Sequence, residues 1–381
     1  MSEYTQDHSR TKIAFITGIT GQDGSYLSEL LLGKGYKVFG FVRRTSVLYN
    51  NQRIDHIRKD LNIQYGDMTD GASLTNYLTR IVNEHDGFKV LEVYNLAAQS
   101  HVKISFEIPE YTSLVDGIGT LKLLEAIRTF PDNILKKTKF YQAGTSEMFG
   151  KVLATPQCET TPFNPQSPYA CAKVYSHFLV KNYRDGYGLF ACNGILFNHE
   201  SPRRGANFVT AKIVNGVKQL IKQEQEYEKV VIMEQTYVQG VETPKDFDKM
   251  KSDLNFVLTL GNIDSQRDWG HAKDYVYGMW LMLQHEKPDD YVLATGYTCS
   301  VRKFIEMCFK RYGKTIVWEG EGVNEVGRDL ETKRVLIQIS EKYFRPCEVD
   351  LLLGSPLKAE ETLGWKRRYD LNKLIDDMIE N

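Results

Sequence analysis

Short apolar runs alternate with longer helical patterns along the first half of the chain. The apolar runs cover residues 12–17, 36–42, 61–65, 90–98, 139–145 and 189–197. Helical patterns lie between them, near 24–34, 72–85, 109–130 and 168–185. Strands that alternate with helices in this way form parallel sheets with helices on both faces. The pattern therefore predicts an α/β fold with a doubly wound, Rossmann-type parallel sheet.

The pattern changes after residue 197, where the elements become shorter and less regular. We therefore predict a large domain over residues 1–197 and a second, smaller domain over 198–381. A helix near Asp274 and the apolar run 291–294 are expected to return to the large sheet, so that residues 274–298 join the first domain. Residues 221–256 are rich in charge, which favours a solvated excursion, with a partner or oligomer contact as the alternative.

The first apolar run leads into three glycines with the spacing GxxGxxG and then into a helical pattern. Glycines let backbone amides approach a pyrophosphate, and a helix N terminus offers free N–H groups and a partial positive charge. The spacing departs from the GxGxxG dinucleotide fingerprint, and a simple turn is the alternative. The candidate phosphate-binding residues are Gly18, Ile19, Thr20, Gly21, Gln22, Asp23 and Gly24.

Two arginines and two hydroxyl residues, Arg43, Arg44, Thr45 and Ser46, follow the second apolar run. An NAD-specific protein usually places an acidic residue here for the ribose hydroxyls. Arginine forks instead suit a 2′-phosphate, so the sequence favours NADP over NAD, with a solvated basic loop as the alternative. Later strand ends that can border the same cofactor carry Asp67, Met68, Leu96, Ala97, Ala98, Gln99 and Ser100.

The fifth apolar run ends at Thr145, and Glu147 follows two residues later. The next helical pattern carries Tyr169 and Lys173. Residues at i and i+4 project from the same side of a helix, so the ammonium of Lys173 is expected close to the phenol of Tyr169. A nearby cation favours the phenolate, which makes Tyr169 a candidate base, although a YxxxK spacing also occurs by chance. Glu147 would supply a second base for chemistry at a neighbouring carbon.

Composition excludes several other classes of protein. Lys plus Arg number 48 and Asp plus Glu number 49 in 381 residues, so no basic field favours nucleic acid. No apolar run reaches the ~20 residues that cross a membrane, and the polar start lacks a signal-peptide core, so we expect a cytoplasmic protein. The six cysteines show no CxxC spacing and the eight histidines no HExxH spacing, so we expect reduced thiols and no metal.

Seven segments, in order, resemble the extended short-chain dehydrogenase/reductase family and, within it, the dehydratases that act on GDP-mannose. They are GITGQDGSYL, NLAAQSHV, YQAGTSEMFG, SPYACAKVY, LFNHESPRRGANFVT, LGNIDSQRDWGHAKDYV and FRPCEVDLLLGSP, and the resemblance covers nearly the whole chain from about residue 11. The chain departs from the usual family pattern at Ala211, where arginine is usual, at Gly144, where serine is common, and in the expanded region 221–256. The first departure weakens any assignment in that part of the nucleotide site.

The resemblance implies further site residues. It adds Tyr111, Lys173, His199 and Arg204 to the expected NADP contacts, with a structural capping role as the alternative for His199. It implies GDP-mannose as the substrate, bound in the smaller domain, and a homodimer or homotetramer as the assembly. The implied substrate contacts are Ser100, Asn198, Lys212, Arg267 and Arg328, each of which could instead form an ordinary surface salt bridge or hydrogen bond.

The candidate residues lead to an expected mechanism. Tyr169 takes the proton of the sugar 4-hydroxyl as C4 is oxidised, with Thr145 bonding O4 and Lys173 holding the phenolate. Glu147 then removes the acidified C5 proton, water leaves from C6, and C6 is reduced. Slow reduction of the 4-keto product by NADPH is expected as a side activity. The alternatives are an NADP-dependent 4-epimerase or 4-keto reductase, which would not need Glu147, and a non-catalytic NADP-binding sensor.

Overall fold

The computed structural model describes residues 11–44, 52–236 and 256–381. Its described strands are β1 Lys12–Thr17, β2 Tyr36–Val42, β3 Leu61–Tyr65, β4 Val90–Asn95, β5 Thr138–Ala143, β6 Phe190–Leu196, β7 Asn198–Glu200, β8 Leu258–Leu260, β9 Gln266–Arg267, β10 Trp269–His271, β11 Asp290–Leu293, β12 Cys299–Ser300, β13 Ile316–Glu319, β14 Val326–Asp329 and β15 Val335–Ile339. Thr45, Ser46 and residues 237–255 of the charged region lie outside the described residues.

The described helices lie between the strands along the chain and after the last of them. They are α1 Gln22–Gly33, α2 Gly71–Glu84, α3 Val102–Glu107, α4 Pro109–Ser113, α5 Gly119–Arg128, α6 Asp132–Leu135, α7 Pro168–Tyr187, α8 Val209–Thr236, α9 Ala272–Gln284, α10 Val301–Arg311, α11 Leu357–Leu363 and α12 Leu371–Glu380. A π-helical turn, Leu114–Ile118, joins α4 to α5, and short 3₁₀ helices cover Gln52–Asp60, Ser146–Met148, Gly322–Asn324 and Glu341–Tyr343.

Seven parallel strands form the main sheet, in the order β11, β6, β5, β4, β1, β2, β3. Successive residues of a strand face opposite sides of the sheet. Ile13 and Phe15 therefore pack with residues of α2, α5 and α7, whereas Ala14 and Ile16 pack with residues of α1 and α9. The predicted doubly wound, Rossmann-type fold is confirmed.

The chain forms two compact units, and the first contains this sheet. It comprises residues up to 203, 267–298 and 349–371. The last segment differs from the sequence-based division, which placed 349–371 in the smaller domain. An isolated bridge joins its Gly354 to Gln157, and the indole of Trp365 is fully buried, donating from Nε1 to the Asp274 carbonyl oxygen at 2.8 Å. Such a segment carries no strand periodicity for a sequence pattern to detect.

The second unit comprises residues 204–266, 299–348 and 372–381. Its sheet has four strands in the order β13, β14, β15, β8; β14 is antiparallel to β13 and β15, and β8 is parallel to β15. Inside this unit, Lys314 bonds Glu224 of α8 at 2.9 Å and Asp329 of β14 at 3.5 Å.

Candidate active site

The glycine turn between β1 and α1 is tightly packed against neighbouring backbone. Gly18 has φ +71°, and a Cβ built on it would lie 2.8 Å from the Ala97 nitrogen. A Cβ on Gly24 would lie 2.4 Å from the Gly18 oxygen. Gly21 caps α1, and no side chain in the described turn caps its first amides. The turn therefore brings uncapped N–H donors close to any bound group, and this donor set fits the pyrophosphate of a dinucleotide.

Hydrogen bonds and an ion pair connect the segment after β6 to α1. His199 bonds Asp23 at 2.8 Å through Nε2 and the Phe197 carbonyl at 2.7 Å through Nδ1. Ser201 Oγ donates to Gln22 Oε1 at 2.8 Å, and Arg203 bonds Glu29 at 2.5 Å. The structure thus brings His199 to the predicted phosphate turn. Ser201 and Arg203 were not singled out from the sequence, although both lie in the segment NHESPRRG.

The end of β2 presents two exposed arginines. Arg43 donates from Nη1 to the Tyr111 hydroxyl, so these two predicted cofactor contacts lie together. The Arg44 guanidinium lies 5.6 Å from the centre of the Tyr65 ring. Exposed guanidinium groups at the carboxyl end of a strand can bind an incoming phosphate with several donors.

The two later strand ends border the same edge of the sheet. Asp67 Oδ1 accepts from the amide and hydroxyl of Thr69 at 2.9 and 2.8 Å, and the neighbouring Met68 is buried. After β4, the amides of Leu96 and Ala97 both donate to Thr17 Oγ1 at 3.1 Å. These bonds hold residues 96 and 97 beside the glycine turn. Ala98 and Gln99 that follow are partly buried, while Ser100 is exposed.

Two capped helices position the candidate catalytic side chains. Thr145 caps the 3₁₀ helix that holds Glu147, whose amide donates to Thr145 Oγ1 at 3.3 Å. Ser167 caps α7, accepting from the Ala170 amide at 3.1 Å, and Pro168 occupies the first turn. These caps fix where both helices start, and hence where Glu147, Tyr169 and Lys173 lie.

Thr145, Glu147, Tyr169 and Lys173 are all buried. The Lys173 ammonium lies 5.9 Å from the centre of the Tyr169 ring and donates to the Ala143 carbonyl oxygen at 3.0 Å. Burial lowers the pKa of Lys173, and the negative charge of Asp116 opposes this effect. The arrangement can stabilise a phenolate on Tyr169, because a neighbouring ammonium favours the charged form of a phenol.

Asp116, in the π-helical turn, is a charged neighbour of the site that sequence reasoning missed. Burial raises the pKa of its carboxyl to about 7, against the opposing effects of Lys173 and the Gln99 amide. A signal was present in the sequence, since an acidic residue between Val115 and Gly117 interrupts an otherwise apolar stretch of helical pattern. That signal does not reveal which cation the acid faces.

The expected substrate contacts divide between the two units. In the first unit, Arg267 is buried, and the buried Asn198 Oδ1 has no hydrogen-bond partner in the described part of the chain. In the second unit, Lys212 lies 3.5 Å from the centre of the Tyr343 ring, and Arg328 bonds Glu319 at 2.7 Å. The guanidinium of Arg204, in the same unit, lies 3.7 Å from the centre of the Phe208 ring.

The described part of the chain offers neither a cluster of metal ligands nor a membrane-spanning helix. In residues 11–44, 52–236 and 256–381, no three His, Cys, Asp or Glu side chains are grouped so as to hold a metal ion. Among the described helices, none combines the length and the apolar character needed to cross a bilayer.

One family model and several relatives of the same name match most of the chain. The family model described as GDP-mannose 4,6 dehydratase matches residues 15–238 and 233–378. GDP-mannose 4,6 dehydratase of Drosophila melanogaster is 49% identical over 379 residues, covering 97% of this chain and 86% of that protein. The protein of the same name from Homo sapiens is 50% identical over 375 residues, with coverages of 96% and 90%. GDP-mannose 4,6-dehydratase of Vibrio cholerae is 48% identical over 385 residues, with coverages of 97% and 93%.

Solved structures share the fold at much lower identity. UDP-glucose 4-epimerase of Thermotoga maritima, solved with UDP-glucose, superposes with a TM-score of 0.71 at 20% identity, and each chain covers 97% of the other. dTDP-glucose 4,6-dehydratase of Bacillus anthracis, solved with NAD, gives a TM-score of 0.70 at 17% identity, with coverages of 97% and 96%.

Proposed function

The chain belongs to the GDP-mannose 4,6-dehydratase family, and we propose that it converts GDP-D-mannose into GDP-4-keto-6-deoxy-D-mannose and water. The reaction is an internal oxidation, dehydration and reduction in which a tightly held nicotinamide cofactor ends as it began. The observation that carries the proposal is the burial of Glu147 beside Thr145, in a site that also holds Tyr169 and Lys173. An epimerase or a simple ketoreductase has no step that requires this second base.

Oxidation at C4 depends on Tyr169. Its phenolate takes the proton of the 4-hydroxyl, while the Thr145 hydroxyl donates to the same oxygen as the carbonyl forms. The Lys173 ammonium favours the phenolate before the transfer and so prepares Tyr169 as a base. A nicotinamide ring, when bound, would supply the hydride acceptor for C4 and the hydride donor for C6.

Dehydration depends on Glu147. The 4-ketone acidifies the neighbouring C5 hydrogen, which without the ketone is too weak an acid for a carboxylate. Glu147 takes the C5 proton and delivers it to the 6-hydroxyl, which leaves as water. C5 is reprotonated as C6 is reduced, so the proton released from O4 is returned to the sugar and the reaction balances.

The cofactor is a nicotinamide dinucleotide, and we assign NADP as its specific form. The first unit carries the glycine turn and the exposed Arg43 and Arg44. These two guanidinium groups match the 2′-phosphate that NAD lacks. Tyr111, His199 and Arg204 stay candidate cofactor contacts, and Asn198, Lys212, Arg267 and Arg328 stay candidates for the nucleotide diphosphate of the substrate.

Replacing Arg44 with alanine is expected to weaken NADP binding by about 1.5 to 3 kcal/mol, because a charge-assisted hydrogen bond to the 2′-phosphate is lost. NAD binding should change little. Isothermal titration calorimetry with both cofactors measures the two affinities, and Arg80→Ala, another exposed arginine of the first unit, is the control. Equal affinity of the wild-type protein for NAD and NADP would contradict the assignment.

One assay tests the reaction itself. Purified protein is incubated with GDP-mannose, and the products are identified by mass spectrometry and by their 4-keto absorbance in alkali. The expected product has lost one water, with no net consumption of added cofactor. An isomer of unchanged mass would support a 4-epimerase instead, and no turnover with intact cofactor binding would support a sensor.

The side activity stays a prediction. If the 4-keto product rebinds while NADPH occupies the site, Tyr169 can return a proton to O4 as C4 is reduced. Mixing the 4-keto product, excess NADPH and protein should give slow loss of nicotinamide absorbance. A rate no higher than that of Tyr169→Phe would show that the activity is absent.

The assembly is proposed to be a homo-oligomer that uses the outer face of α7. Tyr175 and Phe178 of α7 are 44% and 55% exposed, and Ile108 and Leu114 are 41% and 37% exposed. Gly117 of the π-helical turn lies beneath the Tyr175 ring, where a Cβ would meet the ring at 3.2 Å, so this apolar surface extends from α7 onto the neighbouring turn. A second copy of the chain is the proposed occupant.

Phe178→Asp is therefore expected to lower the molar mass measured by light scattering to that of a smaller assembly, since it buries a charge in the contact. Leu357→Asp is the matched control, because Leu357 is 59% exposed on α11 and lies outside the proposed surface. An unchanged mass for Phe178→Asp would exclude this face as the contact.

A further inference from the structure

Asp116 lies in the π-helical turn between α4 and α5, which packs against α7. Its side chain is 1% exposed. Oδ1 accepts from the Gln99 amide at 2.7 Å, whereas the buried Oδ2 has no hydrogen-bond partner in the described part of the chain. An ionised carboxylate with one unbonded oxygen is costly to bury, unless a cation compensates its charge.

The backbone of Asp116 is fixed to α7 and α5. Its carbonyl oxygen accepts from Ser176 Oγ at 2.5 Å and from Thr120 Oγ1 at 3.0 Å. Ser176 lies on the same helix as Lys173, three residues further along the chain. The turn therefore cannot move away from Lys173 without breaking buried hydrogen bonds, and the position of the carboxylate is well defined.

Lys173 lies one helical turn before Ser176, on the side of α7 that bonds the Asp116 turn. It is 3% exposed, and each of the two side chains favours the charged form of the other. A buried ammonium ion without a counter-charge tends to lose its proton, because burial penalises the charged form. The Ala143 carbonyl that accepts from Lys173 is a dipole and supplies no full negative charge.

The other titratable groups on the adjoining helices have different surroundings. Lys122 of α5 donates to the Thr69 carbonyl, Tyr111 of α4 meets Arg43, and Glu110 of α4 is exposed. On α7, Tyr169 is the proposed base, and Tyr175 is a half-exposed phenol. Lys173 differs from these groups in being a buried cation one helical turn from Ser176, which bonds the Asp116 carbonyl.

We propose that Asp116 is a positioning residue of the reaction, whose carboxylate keeps Lys173 protonated beside Tyr169. The proposal rests on the proposed function, since it concerns the base of that reaction. It predicts that the charge of Lys173, and with it the phenolate of Tyr169, depends on a residue 57 positions earlier in the chain. Asparagine at position 116 has the same shape and can still accept from Gln99, so Asp116→Asn removes the charge selectively.

The test is a titration of the Tyr169 phenol in the resting protein, which needs neither substrate nor turnover. The near-ultraviolet absorbance of tyrosinate is measured as a function of pH. For each protein, the curve of the same protein carrying Tyr169→Phe is subtracted, which leaves the titration of Tyr169. In Asp116→Asn the midpoint is expected to rise by about one pH unit, a tenfold change in the equilibrium, because Lys173 loses its proton. If Lys173 kept its charge without Asp116, removal of a negative charge would lower the midpoint. A lower or unchanged midpoint would therefore overturn the proposal.

Two controls separate this effect from a general loss of structure. Glu92→Gln alters another buried carboxylate of the first unit, which is bonded to Tyr36 and Tyr94, and should leave the Tyr169 midpoint unchanged. Circular dichroism checks that Asp116→Asn folds. If it does not, the size-matched pair Asp116→Glu and Asp116→Gln replaces it: a higher Tyr169 midpoint in the Gln variant than in the Glu variant supports the proposal, and equal midpoints or a lower one in the Gln variant overturn it.

Activity gives a second readout. In Asp116→Asn the alkaline limb of the kcat profile should move to lower pH, with little change in KM for GDP-mannose. In a Lys173→Met background, adding Asp116→Asn should cause no further loss, because its target is already absent. Independent losses from the two substitutions would contradict an action through Lys173. Because the phenol titration requires no reaction, a failure of the proposed function leaves that measurement able to decide the role of Asp116.

Discussion

Glu147→Gln is expected to lower the rate of dehydration by about 10² to 10⁴ while leaving the fold and cofactor binding intact, as general acid–base groups contribute this much. The glutamine side chain has the shape of glutamate, and the backbone N–H of residue 147 can still donate to Thr145 Oγ1. The neutral side-chain amide cannot take a proton from C5. Oxidation at C4, which relies on Tyr169, should remain possible, so the variant stops after the first step.

Mass spectrometry and isotope exchange distinguish the blocked step. With GDP-mannose deuterated at C4, Glu147→Gln should transfer the label to the cofactor without losing water, whereas Tyr169→Phe should not transfer it at all. Glu92→Gln serves as a control for the loss of a buried carboxylate outside the site. Dehydration by Glu147→Gln at the wild-type rate would remove Glu147 as the C5 base and favour the epimerase alternative.

Asp290→Asn is expected to destabilise the protein by about 3 to 5 kcal/mol, because it leaves a mostly buried guanidinium without its counter-charge. Arg184 of α7 bonds Asp290 of β11 through both terminal nitrogens, at 2.8 and 3.2 Å, and Asn193 of β6 donates to the same carboxylate at 2.9 Å. Burial lowers the pKa of the neighbouring His177, so Arg184 carries the positive charge at neutral pH. Urea denaturation measures the loss, with Asp60→Asn, at an exposed aspartate outside this network, as control.

The pH dependence of this difference follows from the direction of the pKa shift. Burial alone would raise the pKa of Asp290, but hydrogen bonds and charge from Arg184, with His177 and Asn193, hold it below its ordinary value. A carboxylate with a lowered folded-state pKa stabilises the protein above its unfolded pKa of about 4 and loses this contribution as pH falls further. The gap between wild type and Asp290→Asn should thus shrink on acidification. A gap that is constant down to pH 3 would contradict the assignment.

The sheet could be read from the sequence where its strands are buried on both faces. The apolar runs 12–17 and 36–42 coincide with β1 and β2, because parallel strands covered by helices are continuously apolar. The run 61–65 also coincides with β3, although this edge strand is partly exposed. The helical pattern 109–130 was less informative. It contains α4, the π-helical turn and α5, and nothing in its periodicity distinguishes these from one continuous helix.

In the candidate site, the proximity of residues close in sequence could be predicted, whereas the proximity of residues distant in sequence could not. Tyr169 and Lys173 lie one helical turn apart, and Thr145 and Glu147 are two residues apart, so sequence spacing is enough to bring each pair together. The placement of Asp116 depends instead on how α7 packs against a turn about 50 residues earlier. Its partner therefore could not be named from the sequence, and the roles of Lys212 and Arg328 stay predictions for the same reason.

The burial of Trp365 has a consequence for folding of the chain during its synthesis. Its indole packs edge-on against Tyr275 and is joined to α9 by the bond to the Asp274 carbonyl, while the Asp274 carboxylate accepts from the amides of Arg368 and Tyr369. During synthesis on the ribosome, α9 emerges about 90 residues before these partners. The apolar surface that Trp365 covers must remain open over that interval, at a translation speed of about 5 to 20 residues per second, for several seconds or more. We expect the packing of the nascent first unit around α9 to be completed only after residues 365–369 have left the ribosome.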